Sequence, residues 1–291
     1  MNDSPPPAKQ NSVLEFSEID FRRLTLHQGR GEPKTTILYD RGGQSASVSM
    51  STLCIQSGWF SRALGSHSKQ PPARHKVRLR GGFPFGVRAM LDFLTTGTYE
   101  RTPEMAARFP LVTALDLHVH AHTAALKYDV PALSAHAIAA FLETALAILN
   151  TNFTTDNPDA FSRPFDTAVG SEVGAAIFED STATARRAPL PPDAHDFTPV
   201  AQIERLLNAV CLLWRITRSA QDPMRKQLAE VLSLHLHKLL RLSFFTAMMR
   251  DLDGLSGLVA KGLEEDGFEV RFGSLDWVDG KAIGVRFITW D

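Results

Sequence analysis

The stretch "AALKYDVPALSAHA" (residues 124–137) decides how the amino-terminal half folds. Apolar residues recur at helical spacing into Tyr128, halt at Asp129-Val130-Pro131, and resume at once. Proline crowds the α conformation of the residue before it, so Val130 is pushed extended and the first helix must end. Pro131 itself has a backbone angle suited to a first helical turn and forfeits no needed hydrogen bond there. The sequence therefore predicts a corner between two helices, with Tyr128 and Val130 packed into the angle.

Upstream of the corner, "TTILY" (35–39), the turn "DRGGQ" (40–44) and the alternating "SASVSM" read as a hairpin. "STLCIQSGWFSRALG" (51–65) reads as one helix with Ser51 as N-cap and Leu53, Cys54, Ser57, Phe60 and Leu64 on one face. "HSKQPPAR" is a loop. In "HKVRLR" (75–80), Val77 and Leu79 alternate with Lys76, Arg78 and Arg80, which predicts a half-buried strand at or near a sheet edge. "GGFPFGVRAMLDFLTTGTY" predicts a helix from near Pro84, with Gly97 just past its end.

The remainder divides by composition. Residues 1–30 are polar and proline-containing, a loose tail. Residues 151–197 carry eight acidic side chains against three arginines and many turn formers, which reads as a flexible acidic linker. From Pro199 the pattern is helical. Asp222 caps and Pro223 opens a helix to about Leu240, "SFFTAMMRDL" and "LSGLVAKGLEE" give shorter ones, and the strands near "DWVDGK" form a small β element. The expected fold is α+β and mainly helical: a unit over 31–150, the linker, and a helical C-terminal domain over 198–291.

With 291 residues and a formal net charge of -1, nothing global draws the chain to nucleic acid or an anionic membrane. The first residues, "MNDSPPPAKQN", contain no apolar run of the secretory kind. "ALSAHAIAAFLETALAIL" (132–149) carries His136 and Glu143 and reads as a soluble helix, so no membrane is expected. Cys54 and Cys211 lie within apolar helical patterns, as free thiols of an intracellular protein would, nuclear or cytoplasmic.

Chemistry-bearing patterns are sparse. "LHVHAHT" (117–123) places His118, His120 and His122 at alternate positions and spaces His118 and His122 as a helix-borne metal pair would, yet no third ligand follows. His235 and His237 lie two apart and cannot face one ligand on a helix. Trp59, Trp214, Trp277 and Trp290 sit in apolar patterns, as core residues do. The glycine-rich "RGGQS" and "RGGFPFG" lack phosphate-loop spacing, and no nucleophile elbow or placed carboxylate pair occurs. No catalytic residue, cofactor or metal is expected, and the chain reads as a non-enzyme. Arg74, Lys76, Arg78 and Arg80 form the one dense basic patch.

In order and spacing, "STLCIQSGWFSRAL", "VRL", "MLDFLTTGTY" and "LHVHAHTAALKYDVPALSAHAIAAF" resemble the BTB/POZ domain of filamentous-fungal type, over roughly residues 35 to 145. "LWRITRSAQDPMR" is similar to the second half of those proteins. The resemblance implies a small sheet covered by helical hairpins, and protein–protein association, often homodimerisation, as the activity. It makes Leu53, Trp59, Phe60, Leu64, Val77 and Leu79 the candidate interface. Leu126, at a normally acidic position, would be an added contact.

The chain also departs from the pattern. Lys34 and Ser49-Met50 stand where the family commonly carries charged residues near its dimer groove, which puts a conventional homodimer in question. Thr95 replaces a usual aromatic. Relatives that dock onto cullin-type ubiquitin-ligase scaffolds often carry a Glu in the loop before the third strand, whereas "GSHSKQPPARHK" (65–76) has no acid. A cullin adaptor and a transcription-linked scaffold remain the two pathways within this class. The alternative is a nucleic-acid-associated regulator using the basic strand.

Overall fold

A computed structural model describes residues 34–65, 76–151, 199–217 and 219–265, together with four short strands between 268 and 289. The tail (1–30), Arg74, Trp290 and the acidic stretch beyond Thr151 lie outside the described residues.

Strands β1 (Lys34–Tyr39) and β2 (Gln44–Ser49) pair antiparallel in the register Lys34↔Ser49 through Tyr39↔Gln44. The tight turn between them holds Asp40, Arg41 and Gly42 at positive φ. β3 (Lys76–Arg78) pairs parallel to β1, with Ile37 opposite Val77, so the sheet order is β2-β1-β3 and β3 forms an edge, as expected. It is shorter than the alternation suggests, although the Leu79 N–H still donates to the Leu38 carbonyl at 2.8 Å.

The helix expected over 51–65 is two helices, α1 (Met50–Gln56) and α2 (Gly58–Gly65). Ser49, not Ser51, is the N-cap: its hydroxyl accepts from the Thr52 N–H. Ser57 is extended (φ -131°, ψ 117°) because its side chain is engaged elsewhere, donating to the Tyr128 carbonyl at 2.6 Å. α3 (Pro84–Thr96) begins on its proline and ends at Gly97 in the left-handed region, φ 82°. A short helix the sequence reading did not anticipate, α4 (Pro103–Arg108), is capped by the Thr102 hydroxyl.

α5 (Ala114–Tyr128) starts with a reciprocal capping box between Thr113 and Asp116. It stops at Asp129 in the left-handed region (φ 53°) and extended Val130, and α6 (Pro131–Leu149) begins on Pro131. The corner is present as read, with Tyr128 and Val130 buried in its angle. By length and composition α6 passes for a membrane span, as an apolar core helix also does; here its residues contribute to two protein cores.

The C-terminal part comprises α7 (Pro199–Ile216), α8 (Pro223–Leu234), α9 (Leu236–Leu239), α10 (Ser243–Asp251) and α11 (Leu255–Glu265). The single helix expected from Pro223 to Leu240 is broken at His235. Strands β4 (Phe268–Val270) and β7 (Phe287–Thr289) pair antiparallel, as do β5 (Trp277–Val278) and β6 (Lys281–Ala282).

Two cores lie on the α5–α6 hairpin. One gathers Ile37, Leu53, Phe60, Leu79, Met90, Tyr128 and Leu133 between the sheet and the helices. The other gathers Leu115, Val119, Phe141 and Ile148 with Leu206, Leu213, Met224 and Phe245 of the C-terminal helices. Each such side chain removed from water contributes about 1.5–3 kcal/mol, so the hairpin is committed on both sides.

Candidate functional site

The candidate interface residues divide by burial. Leu53, Phe60, Leu64 and Leu79 are core residues of the folded chain and present no surface to a partner. Phe60 and Leu64 are buried because the Ser57 break turns α2 down onto the corner, and Leu53 and Leu79 pack into the same core from α1 and the end of β3. The Ser57 hydroxyl accepts from the Phe60 N–H at 3.0 Å, and the Gly58 N–H donates to the Asp129 carbonyl at 3.0 Å. Phe60 stacks on Tyr128, and Trp59 meets Tyr128 edge-on at 5.3 Å between ring centroids. Arg62 adds an exposed ion pair to Asp129 at 3.2 Å.

Of the candidates, Trp59 and Val77 are half-buried and Leu126 is exposed (50%); outside them Ile55 on α1 is 65% exposed, and Leu111 and Leu234 are exposed as well. Two residues on from Leu53, Ile55 falls about 200° round the helix, so its exposure was legible; sequence reasoning passed over it by taking the Leu53–Phe60 face, which is the buried one, as the contact face.

At the sheet edge, Lys76, Arg78 and Arg80 are all exposed on or just after β3, so three of the four members of the basic patch fall together; the fourth, Arg74, is outside the described residues. Lys127 reaches the same place from α5, its Nζ donating to the Arg80 carbonyl at 2.5 Å and the Gly81 carbonyl at 3.2 Å.

The histidines separate rather than converge. His118 Nδ1 lies 2.8 Å from the Tyr99 hydroxyl, while His120 is buried with its ring 4.4 Å from that of Phe83. Burial holds His118 down to about 4, helped by nearby His136, and holds His120 down to about 3. Among the described residues no group of three or more His, Cys, Asp or Glu is placed to hold a metal. Cys54 and Cys211 are both free, and burial pushes the Cys211 thiol up to about 12.

His122 enters a polar network that the sequence reading did not foresee. Its Nδ1 lies 3.0 Å from the Ser134 hydroxyl on α6, and its Nε2 lies 3.1 Å from Asp222 Oδ2, one hundred residues further on. Asp222 Oδ1 accepts from the Met224 and Arg225 N–H groups, capping α8. Burial pushes the Asp222 carboxyl up, but the His122 hydrogen bond and charge, with those two N–H groups, leave it below its ordinary value. Arg225 folds back over the Trp214 ring and donates to the Trp214 and Thr217 carbonyls and the Thr217 hydroxyl, satisfying the end of α7.

Ser134, His122 and Asp222 have the connectivity of a nucleophile relay, but the His122 and Asp222 side chains are 0% and 2% exposed. A substrate has no approach to the imidazole in this conformation, and the network acts as a fastening between α5, α6 and α8. The signal that could have found it is a histidine on the apolar side of α5 together with the carboxylate of the Asp222-Pro223 helix start.

No protein-family model matches the chain, and no curated protein matches it.

Proposed function

We propose that the chain is a non-enzymatic, BTB/POZ-like association module that works inside the cell, nuclear or cytoplasmic, by burying apolar helix surface against a protein partner, a second copy included. The observation that supports this most is that the motif stretches fall, in order, on one continuous unit. They cover α1–α2, β3, α3 and the α5–α6 corner, packed around a three-stranded sheet. The accessible apolar residues Ile55, Trp59 and Leu126 give that unit something to bury. A standard-size interface would remove about 1,600 Å² from water. Scaffold and cullin-adaptor roles share this chemistry, and the loop without acid (65–76) favours the scaffold.

A nucleic-acid reading has one observation in its favour, the exposed Lys76, Arg78 and Arg80. Its mark would be oligonucleotide affinity falling steeply between low and physiological salt.

The test of the first reading is light scattering on the full chain over a wide concentration range, beside in-cell cross-linking. The expected result is a mass above the monomer's 32.1 kDa, or one specific cross-linked protein, lost on Ile55→Glu with thermal stability unchanged. Phe60→Glu should instead unfold the chain, because it places a charge in the core. A strict monomer with no cross-linked partner overturns the reading.

A further inference from the structure

The outer edge of the sheet is unpaired among the described residues: β3 is last in the order β2-β1-β3, with no strand on its far side. Leu79 turns its N–H to β1, and the backbone groups of Arg78, alternating with those of Leu79, face away. Lys76, Arg78 and Arg80 are exposed along this edge, none in an ion pair with a described residue, and Lys127 brings a further cation to its end. A second copy is a poor occupant, because two such edges would set like charges opposite one another.

The complementary charge is in the same chain. Residues 151–197 carry eight acidic side chains and three arginines, and the chain leaves the described part at Thr151 and re-enters at Pro199. Fully extended, residues 152–198 measure about 160 Å and, held at both ends, reach out to about 80 Å, longer than the roughly 45 Å breadth of a domain of this size. Tethering raises their effective concentration at that edge to the order of millimolar, an advantage a free acidic partner lacks. We propose that the acidic stretch 151–197 docks on the outer edge of β3, its carboxylates against Lys76, Arg78 and Arg80. The docking neutralises the basic patch, shields it from polyanions and covers an edge that would otherwise template strand pairing.

The experiment is zero-length carbodiimide coupling of lysine amines to carboxylates on the full-length protein, with isotopically light and heavy copies mixed and the products mapped by mass spectrometry. Expected are links from Lys76 or Lys127 to peptides containing Asp156 to Asp196, within one copy only. These links should fall at least fivefold at high salt and in the Arg78→Glu/Arg80→Glu variant, whose exposed positions leave folding intact. Three results overturn the proposal: coupling of these lysines only to carboxylates elsewhere, links only between light and heavy copies, or links undiminished by salt and by charge reversal.

Discussion

A Cβ on Gly86 would stand 2.9 Å from the His120 carbonyl oxygen and 3.0 Å from the His120 Cβ, so α3 and α5 approach closer than a side chain allows. Gly86→Ala gains about 1 kcal/mol of helix propensity but must force two packed helices apart at a cost of about 1–3 kcal/mol. The expected outcome is a lower melting temperature, and a rise would refute the contact. His122 and Asp222 depend on each other in another way. His122→Leu leaves a buried carboxylate short of a hydrogen-bond partner and Asp222→Asn weakens the bond to the buried imidazole, each costing about 1–3 kcal/mol. The double variant should cost less than the sum by about 0.5–3 kcal/mol in urea denaturation, and strict additivity would argue against the pair.

At the scale of the element, α5 carries opposing titrations. His118 and His120, held at about 4 and about 3, lie below their unfolded value of 6.5. Their contribution is complete above pH 6.5 and is lost as pH falls, about 1.4 kcal/mol per pH unit for each. His136, also lowered by burial, adds in the same direction. Asp116 opposes them: burial raises it from 3.8 to about 6, despite hydrogen bonds from Thr113, so its penalty is relieved as pH falls below 6. Two strongly shifted histidines outweigh one carboxyl, and melting temperature should fall between pH 6.5 and 4. His120→Phe should remove about 1.4 kcal/mol per pH unit, half of what the two histidines contribute and most of the net slope below pH 6 where Asp116 opposes them; a flat profile in the unsubstituted protein would contradict the burial of both rings.

For the whole molecule, the two cores share one hairpin. Leu115, Val119, Ile138, Phe141 and Ile148 are covered by the C-terminal helices, and Lys238 Nζ closes the end of α6 by donating to the Leu149 carbonyl at 3.1 Å. A fragment ending at residue 151 should therefore expose an apolar face larger than monomeric proteins tolerate. It is expected to bind a hydrophobic dye and to self-associate. A soluble, dye-silent fragment would mean that the second core adds little. The same sharing limits where a partner can sit: the core-facing sides of α5 and α6 are occupied, and the large apolar side chains still exposed among the described residues are Ile55, Leu111, Leu126 and Leu234.

The corner was legible from residues alone, because proline acts on its immediate neighbours: Val130 extended and Pro131 at a helix start follow from local sterics. The β1–β2 hairpin, the Gly97 stop and the Asp222 cap were legible for the same reason, each being set within a few residues. The α1–α2 break was not, since Ser57 leaves the helix for a carbonyl 71 residues away and no local pattern encodes that choice. Nor was the assignment of Leu53, Phe60, Leu64 and Leu79 to the interior, or the meeting of His122 with Asp222. Local backbone preference needs only neighbours in the chain. Which apolar face is covered, and which histidine gains a carboxylate, depends on segments brought together from far apart, and only the folded molecule decides it.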